Sequence, residues 1–124
     1  MKFEKTIPMF YTEQLEKTVK FYSEVIGFHC HALDVDAGWA SVARDKVELM
    51  FATPNEHLKF DKPVFTGSIY LKVIEVETLW DQLKDRCEIC YPLESFDYGM
   101  KEFAIYDNNG YMIQFGQEID PQHS

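Results

Sequence analysis

The feature that most constrains this fold is an order of elements that occurs twice: one strand, one helix, then three strands. Such an internal duplication predicts two copies of one unit. The first copy is predicted to have strands at 6–11, 28–34, 39–43 and 46–52, with a helix whose apolar stripe begins at Leu15. The second copy is predicted to have strands at 68–73 and 87–91, a closing hairpin within 98–116, and a helix whose apolar stripe begins at Val76.

The closing hairpin is the best-defined strand pair. Asp107–Gly110 (DNNG) supplies its turn, since Asn and Gly tolerate the positive φ of tight turns. Alternation places Phe103 and Ile105 on one face and Glu102 on the other, and after the turn it places Gln114 on a face opposite Ile113. Because VELMF at 47–51 resembles MIQF at 112–115, we expect Glu48 and Gln114 to occupy corresponding places in the two copies.

Length and composition predict one domain, 1–124, with modules at about 1–53 and 64–118 joined by a polar connector, 54–63. A net charge of −9 argues against nucleic-acid binding, which requires a basic footprint. No apolar run is long enough for a membrane span or a signal peptide, so no membrane partner is expected. Three cysteines suit a reducing compartment, and we expect a cytoplasmic protein.

Several segments resemble the vicinal-oxygen-chelate superfamily, which holds glyoxalase I, extradiol dioxygenases, fosfomycin-resistance enzymes and bleomycin-resistance proteins. They are LEKTVKFY at 15–22, IGF at 26–28, RDKVELMF at 44–51, YGMKEF at 98–103 and DNNGYMI at 107–113. The YGMKEF segment is closest to the bleomycin-resistance branch. The resemblance implies an α+β fold: two tandem βαβββ modules forming a cupped, partly open mixed β-barrel, with short members commonly pairing as homodimers.

The resemblance also implies where metal-dependent members place four His or Glu ligands. Carried over, these positions are Ile7, Glu48, Ser68 and Gln114. Ile7 has no donor atom, and Ser68 and Gln114 are weak neutral donors. We therefore expect no metal and no cofactor, and a Glu48 carboxylate that instead forms hydrogen bonds with Ser68 and Gln114.

The strand faces that the helices do not cover are predicted to line a small-molecule cavity, because their mixture of aromatic and polar groups is typical of such sites. Trp39, Tyr11 and Tyr70 could stack a planar ligand, and Glu48 could hold a cationic group. Tyr98 and Glu102 lie where the bleomycin-binding branch has an aromatic and acidic rim. The predicted ligand-binding residues are Ile7, Met9, Tyr11, Trp39, Ser41, Glu48, Met50, Ser68, Tyr70, Tyr98, Glu102, Met112 and Gln114.

Two other patterns are better explained by ordinary structural roles. Cys87 and Cys90 have CxxC spacing, but on a strand such residues point to opposite faces and cannot share a metal. His29 and His31 share a strand face, yet no histidine stands at an implied ligand position to complete a set. His57 and His123 fall in the connector and the tail.

Three hypotheses for function follow. The first is a metal-free binding protein that sequesters an aromatic or cationic small molecule in a dimeric cavity, as antibiotic-resistance proteins of this kind do, with no catalytic residues. The alternative is a glyoxalase- or dioxygenase-like, metal-dependent lyase or oxidoreductase with a non-standard site around Glu48. A pure interaction module is the least favoured, since the inward residues are not uniformly apolar.

Overall fold

The computed structural model describes residues 1–54 and 60–119, and the chain divides into two compact units, Met1–Pro63 and Val64–Ser124. The first unit contains β1 (Met9–Tyr11), α1 (Leu15–Glu24), β2 (His29–Asp34), β3 (Trp39–Arg44) and β4 (Val47–Ala52). Its strands form a sheet in the order β1-β4-β3-β2, in which only the β1–β4 pair is parallel.

The second unit repeats this plan. It contains β5 (Ile69–Lys72), α2 (Val76–Leu83), β6 (Glu88–Phe96), β7 (Met100–Tyr106) and β8 (Met112–Glu118). The sheet order is β5-β8-β7-β6, again with one parallel pair, β5–β8. The predicted α+β architecture of two βαβββ modules is therefore confirmed.

Each helix covers one face of the sheet in its own unit. In the first unit, α1 buries Leu15, Val19 and Tyr22, and it contacts β2 and β3. The β-strand residues beneath it include Leu49 and Phe51, which are almost inaccessible to solvent. Burial of these apolar side chains supplies the main driving force for folding of the unit, roughly 25 cal/mol per Å² of apolar surface removed from water.

The predicted hairpin faces are also confirmed. Phe103 pairs with Phe115 and Ile105 with Ile113, and all four side chains are buried on the α2 face of the sheet. The turn is held by the Asp107 carboxylate, which accepts hydrogen bonds from backbone amides within it. Gly110 adopts φ 89°, the left-handed conformation that the DNNG sequence predicts.

Strand register corrects the expected correspondence between the copies. The Thr12 amide donates to Ala52 and the Val73 amide donates to Gly116, and a helix begins three residues later in both cases. Thr12 is thus the counterpart of Val73, and Ala52 that of Gly116. Counting back two residues along the last strand of each unit, the counterpart of Gln114 is Met50, so the prediction of Glu48 is wrong.

The reason lies in the last turn of each unit, which differs in length. Arg44 pairs with Val47 across a two-residue turn, whereas Tyr106 pairs with Met112 across five residues. A local match of strand sequences does not detect this difference, because moving the match by two residues keeps every side chain on the same face.

A β-bulge in each unit supports the same correspondence. The register of β2 shifts between Cys30 and Ala32, opposite Val42 and Ser41. In the second unit, the register of β6 shifts between Ile89 and Tyr91, opposite Ile105 and Ala104. The bulges fall at equivalent places only if Ser41 corresponds to Ala104, and Ser41 pairs with Met50 as Ala104 pairs with Gln114.

Two strands differ from their predicted bounds by more than one residue. The first strand is short, Met9–Tyr11 rather than 6–11, and β6 runs to Phe96 rather than ending at 91. Pro92 does not end β6, because β6 is an edge strand with a second register shift between Tyr91 and Glu94. Part of the predicted connector, 55–59, and His57 and His123 lie outside the described residues.

Candidate functional site

The second sheet carries a fully buried carboxylate on the face opposite α2. Glu102 of β7 is 1% exposed. Its Oε1 accepts a hydrogen bond from the Tyr70 hydroxyl at 3.0 Å, and its Oε2 accepts a short one from Tyr91. The Gln114 amide lies 3.5 Å from the same Oε2, and Tyr98 helps to lower the pKa of the carboxylate.

Gln114 links the carboxylate to Ser68, the residue before β5. Its Nε2 donates to the Tyr91 hydroxyl at 2.9 Å, and its Oε1 accepts a short hydrogen bond from Ser68. Four strands therefore contribute to one hydrogen-bonded network. The members of this Glu102 cluster are Ser68, Tyr70, Tyr91, Tyr98, Glu102 and Gln114.

The network keeps the carboxylate charged and the phenols neutral. Burial acts to raise the pKa of Glu102, but the hydrogen bonds from Tyr91, Tyr98, Tyr70 and Gln114 outweigh it, and the pKa lies below its ordinary value. Burial, together with the bond to Glu102, raises the pKa of Tyr70 to about 12 and also raises that of Tyr91. At neutral pH the cluster therefore carries one negative charge.

The described residues supply no cation to that charge. Residues 1–54 and 60–119 form several ion pairs, and Glu102 takes part in none of them. An ionised carboxylate away from water is costly unless it is paired or fully hydrogen-bonded, and here only neutral donors compensate it.

Aromatic rings flank the carboxylate. Tyr98 is 64% exposed and stacks on Phe96, with ring centroids 5.4 Å apart and planes 10° from parallel. Phe96 in turn meets Tyr91 edge-on at 5.9 Å. Tyr98 is thus exposed, whereas Glu102 is not, because the phenols of Tyr70 and Tyr91 cover it.

The ring of Tyr70 lies against the backbone of Gly116, the residue that pairs with Glu102. A Cβ at position 116 would lie 2.7 Å from Tyr70 Cζ and would overlap the hydroxyl group. Glycine is thus needed here for space, because Tyr70 must cross β8 to reach Glu102 on β7.

The structure gives Glu48 different partners from those expected. Its Oε1 accepts from Lys5 Nζ at 2.6 Å and its Oε2 from Ser41 at 3.0 Å, both within the first unit. The hydrogen bond with Lys5 is the main cause of the lowered pKa of Glu48. The Glu48 side chain is 17% exposed, so of these two glutamates it is Glu102 that is buried.

The remaining predicted residues of the first unit lie on the sheet face opposite α1. Met9 pairs with Met50, and Met50 pairs with Ser41, so their side chains share that face. By alternation Ile7, Tyr11 and Trp39 lie on it too. In the second unit Met112 pairs with Tyr106 on the Gln114 face.

The two copies of this face differ in polarity. The strand register gives each of five cluster residues a counterpart in the first unit. Ser68 corresponds to Ile7, Tyr70 to Met9, Tyr91 to Ala32, Glu102 to Trp39 and Gln114 to Met50. Each of these five cluster members therefore has an apolar counterpart. The duplicated frame thus carries polar, hydrogen-bonded residues at these positions in one copy and apolar residues at the same positions in the other.

This donor set does not fit the metal of the family that the sequence resembles. With Met50 replacing Glu48 in the correspondence, the four implied positions hold Ile7, Met50, Ser68 and Gln114, none of which is charged. No group of three potential His, Cys, Asp or Glu ligands occurs in the described parts of the chain. Glu48 already has the Lys5 ammonium as its cation.

The thiols have separate surroundings. Cys87 Sγ lies 3.4 Å from the carbonyl oxygen of Leu83, and Cys90 Sγ lies 3.2 Å from the Tyr106 hydroxyl. His29 and His31 are exposed neighbours on β2, with ring centroids 5.5 Å apart.

Tyr91 is the site residue that the sequence did not predict. A regular strand would place it on the same face as Ile89, against α2. The bulge at Cys90 turns it to the opposite face, where it contacts Glu102 and Gln114. Strand alternation alone gives no signal for this residue.

A protein-family model described as Glyoxalase/Bleomycin resistance protein/Dioxygenase superfamily matches residues 7–115. The chain belongs to this superfamily. No curated protein is significantly similar to this superfamily member in sequence.

Several solved structures share the fold of this chain. A glyoxalase/bleomycin resistance protein/dioxygenase from Nocardioides has a TM-score of 0.76 and 16% identity, covering 98% of this chain and 87% of its own. TioX from Micromonospora sp. ML1 has a TM-score of 0.76 and 15% identity, with 94% and 99% covered. A protein of unknown function from Agrobacterium tumefaciens has a TM-score of 0.77 and 14% identity, with 96% and 97% covered. At these identities the likeness shows the fold alone.

Neither described helix of this superfamily member has the length or the apolar character needed to cross a bilayer.

Proposed function

We propose that this protein is a metal-free binding protein that sequesters an aromatic or cationic small molecule at the Glu102 cluster. The observation that carries the proposal is a buried, ionised carboxylate without a cation among the described residues. Burying a charge without a counter-charge costs desolvation free energy. In a binding site, a cationic ligand can offset that cost by supplying the counter-charge.

The surroundings of Glu102 support binding rather than a purely structural role. Tyr70 is 41% exposed and Tyr98 is 64% exposed, so aromatic surface next to the charge faces solvent. Tyrosine rings offer stacking and cation–π contacts to a planar or cationic ligand. The net charge of −9 adds a general attraction for cations.

The calorimetric titration of the purified protein with bleomycin-type glycopeptides and with small aromatic cations tests this proposal. We expect saturable binding that is weakened in Glu102→Gln and unchanged in the matched control Glu13→Gln, which removes one exposed charge from the other unit. If none of these compounds binds, the sequestration proposal is wrong. Binding that is equal in Glu102→Gln would place the site elsewhere.

A protective role against antibiotics is the corresponding cellular proposal. Expression of the chain in a bleomycin-sensitive bacterium should raise the tolerated dose, and the Glu102→Gln variant should lose that protection at equal expression. If protection persists in the variant, resistance does not depend on the Glu102 cluster.

A further inference from the structure

The hydrogen bonds of the Glu102 cluster all run toward the carboxylate. Tyr70 and Tyr91 each have one hydroxyl proton, and each donates it to Glu102. Ser68 donates its proton to Gln114 Oε1. Ser68, Tyr70 and Tyr91 thus direct their hydroxyl protons into the cluster.

The N–H groups of the Gln114 amide are also used within the cluster. Ser68 fixes the orientation of the amide by donating to its oxygen, so the NH₂ group faces Tyr91 and Glu102 at 2.9 Å and 3.5 Å. Both N–H groups therefore also point into the cluster. What remains on these side chains is acceptor capacity: the unused lone pairs on the hydroxyl, amide and carboxylate oxygens.

The remaining acceptors are stronger than ordinary phenol oxygens. A hydroxyl group that donates to a carboxylate is polarised, and its oxygen becomes a better acceptor within the chain of hydrogen bonds. The phenols of Tyr70 and Tyr98 stay protonated well beyond neutral pH, with pKa values raised to about 12. The pattern of donors and acceptors is therefore fixed across the physiological range.

Such a surface selects its ligand by hydrogen-bond polarity. A carboxylate or phosphate would meet acceptors and a negative charge, so anions are disfavoured. A group that carries several N–H donors and a positive charge matches both the acceptors and the charge.

The stacked ring of Tyr98 adds a preference for a planar cation. Its plane is nearly parallel to that of Phe96, and one side of this stack is exposed. A delocalised planar cation stacks on such a ring while its edge donates hydrogen bonds, whereas a compact ammonium is more strongly hydrated and cannot stack.

We infer that the Glu102 cluster binds the amidinium or guanidinium group of an aromatic cation. The inference rests on the proposed function and narrows the ligand to a chemical class. The planar head group contacts the tyrosine oxygens with its N–H edge and Tyr98 with its face.

Three nearly isosteric probes test this inference: benzamidinium, benzamide and benzoate. They share a ring and a planar substituent but carry charges of plus one, zero and minus one. We expect benzamidinium to bind at least about tenfold more tightly than benzamide, since charge-assisted hydrogen bonds are roughly twice as strong as neutral ones, and benzoate not to bind. Benzylammonium, a cation that is not planar, should bind more weakly than benzamidinium.

Two pairs of variants locate the interaction. Glu102→Gln should abolish the preference for benzamidinium over benzamide, while Glu13→Gln should retain it; circular dichroism and thermal unfolding check that each variant folds. Tyr98→Leu should weaken benzamidinium binding several-fold, and Tyr98→Phe, which keeps the stacking ring, should restore most of it. Because Tyr98 is exposed, neither change should alter folding.

The outcomes separate the inference from the proposed function. If bleomycin-type glycopeptides bind but benzamidinium does not exceed benzamide, the inferred ligand class is wrong and the sequestration proposal stands. If neither the glycopeptides nor any aromatic cation binds, both are wrong. Tighter binding of benzoate than of benzamidinium would overturn the inferred polarity directly.

Discussion

Glu102 shows how far a single residue can depart from its usual setting. A glutamate is seldom fully buried without a cation, yet here three phenols and an amide hold it in its charged form. Hydrogen bonds to an ionised group are worth roughly 1.5–3 kcal/mol each, which is how neutral donors can offset desolvation.

The first prediction at this scale concerns acid pH. The folded-state pKa of Glu102 lies below its unfolded value near 4.5, so its contribution to stability is present above that pH and is lost as the pH falls toward the folded pKa. Denaturant unfolding at a series of pH values should show a smaller acid loss in Glu102→Gln than in the parent protein. An identical acid dependence in both proteins would show that Glu102 is not the group responsible.

The second prediction concerns Gly116. In Gly116→Ala the new methyl group overlaps the Tyr70 hydroxyl, and because that group ends a flexible side chain, Tyr70 should swing away from Glu102. We expect a modest loss of stability and a clear weakening of ligand binding, with the phenol of Tyr70 titrating closer to 10 than to about 12.

The matched control for this change is Gly67→Ala, whose Cβ would meet Phe65 only at ordinary contact distance, 3.8 Å. It should leave binding and tyrosine titration unchanged. Ultraviolet absorbance of the phenolates follows the titration, and a Gly116→Ala titration curve equal to that of the parent would refute the proposed crowding.

The residue types of the cluster could be predicted better than their roles. Alternation placed Gln114 and Glu102 on the faces they occupy, and Tyr70 and Ser68 were expected near them. Burial was not predictable, because it depends on Tyr70 crossing over Gly116 and on Tyr91 changing face. Both are packing effects between strands distant in sequence.

At the scale of elements, the helices and the hairpin were predictable because their signals are local. Helical spacing from Leu15 and from Val76 marks α1 and α2, and DNNG marks the last turn. The extent of β6 was not predictable. A proline normally ends a strand, but Pro92 is tolerated because β6 is an irregular edge strand.

The start of α2 holds a strained residue. Glu75, the N-cap, has φ 54° and ψ 48°, a left-handed conformation that costs a non-glycine residue roughly 1–2 kcal/mol. The helix amide of Val76 is meanwhile satisfied by the Gln117 side chain of β8 at 2.9 Å rather than by a side-chain cap.

This geometry gives the third prediction. Glu75→Asn should stabilise the protein by about 0.5–1 kcal/mol, because asparagine tolerates the left-handed conformation and glutamate does not. The matched control is Glu75→Gln, which removes the same charge without that tolerance and should have little effect. Thermal and denaturant unfolding measure both; equal stabilisation by the two variants would indicate a charge effect instead.

For the whole molecule, the chief result is a duplicated frame whose two copies have diverged. Ser68, Tyr70, Glu102 and Gln114 correspond to the apolar residues Ile7, Met9, Trp39 and Met50. This correspondence could not be read from local similarity, which favoured Glu48 instead of Met50.

The fourth prediction concerns metal uptake. Gln114→Glu restores a carboxylate at one implied ligand position, but Ile7 and Met50 offer no hard donor near it, so the variant should not acquire tight binding of Zn²⁺, Ni²⁺ or Mn²⁺. Elemental analysis of parent and variant, both purified without chelator, measures this. Stoichiometric metal in either protein would show that the donor assignment is wrong and would favour the metal-dependent enzyme.

The fifth prediction is the homodimer that the family resemblance implies. Light scattering of the purified protein should give about twice the 14.6 kDa chain mass at micromolar concentration. A monomer that nevertheless binds ligand would show that one chain suffices for the site.

The bulge at Cys90 has a consequence for how this site arose and how it could be lost. Because one extra residue decides which way Tyr91 faces, removal of a single codon there would turn the tyrosine toward α2 while every other side chain of the cluster kept its identity. Substitution is therefore not the only route by which relatives can change ligand. A one-residue insertion or deletion in an edge strand can complete or break up a cluster of this kind in one step.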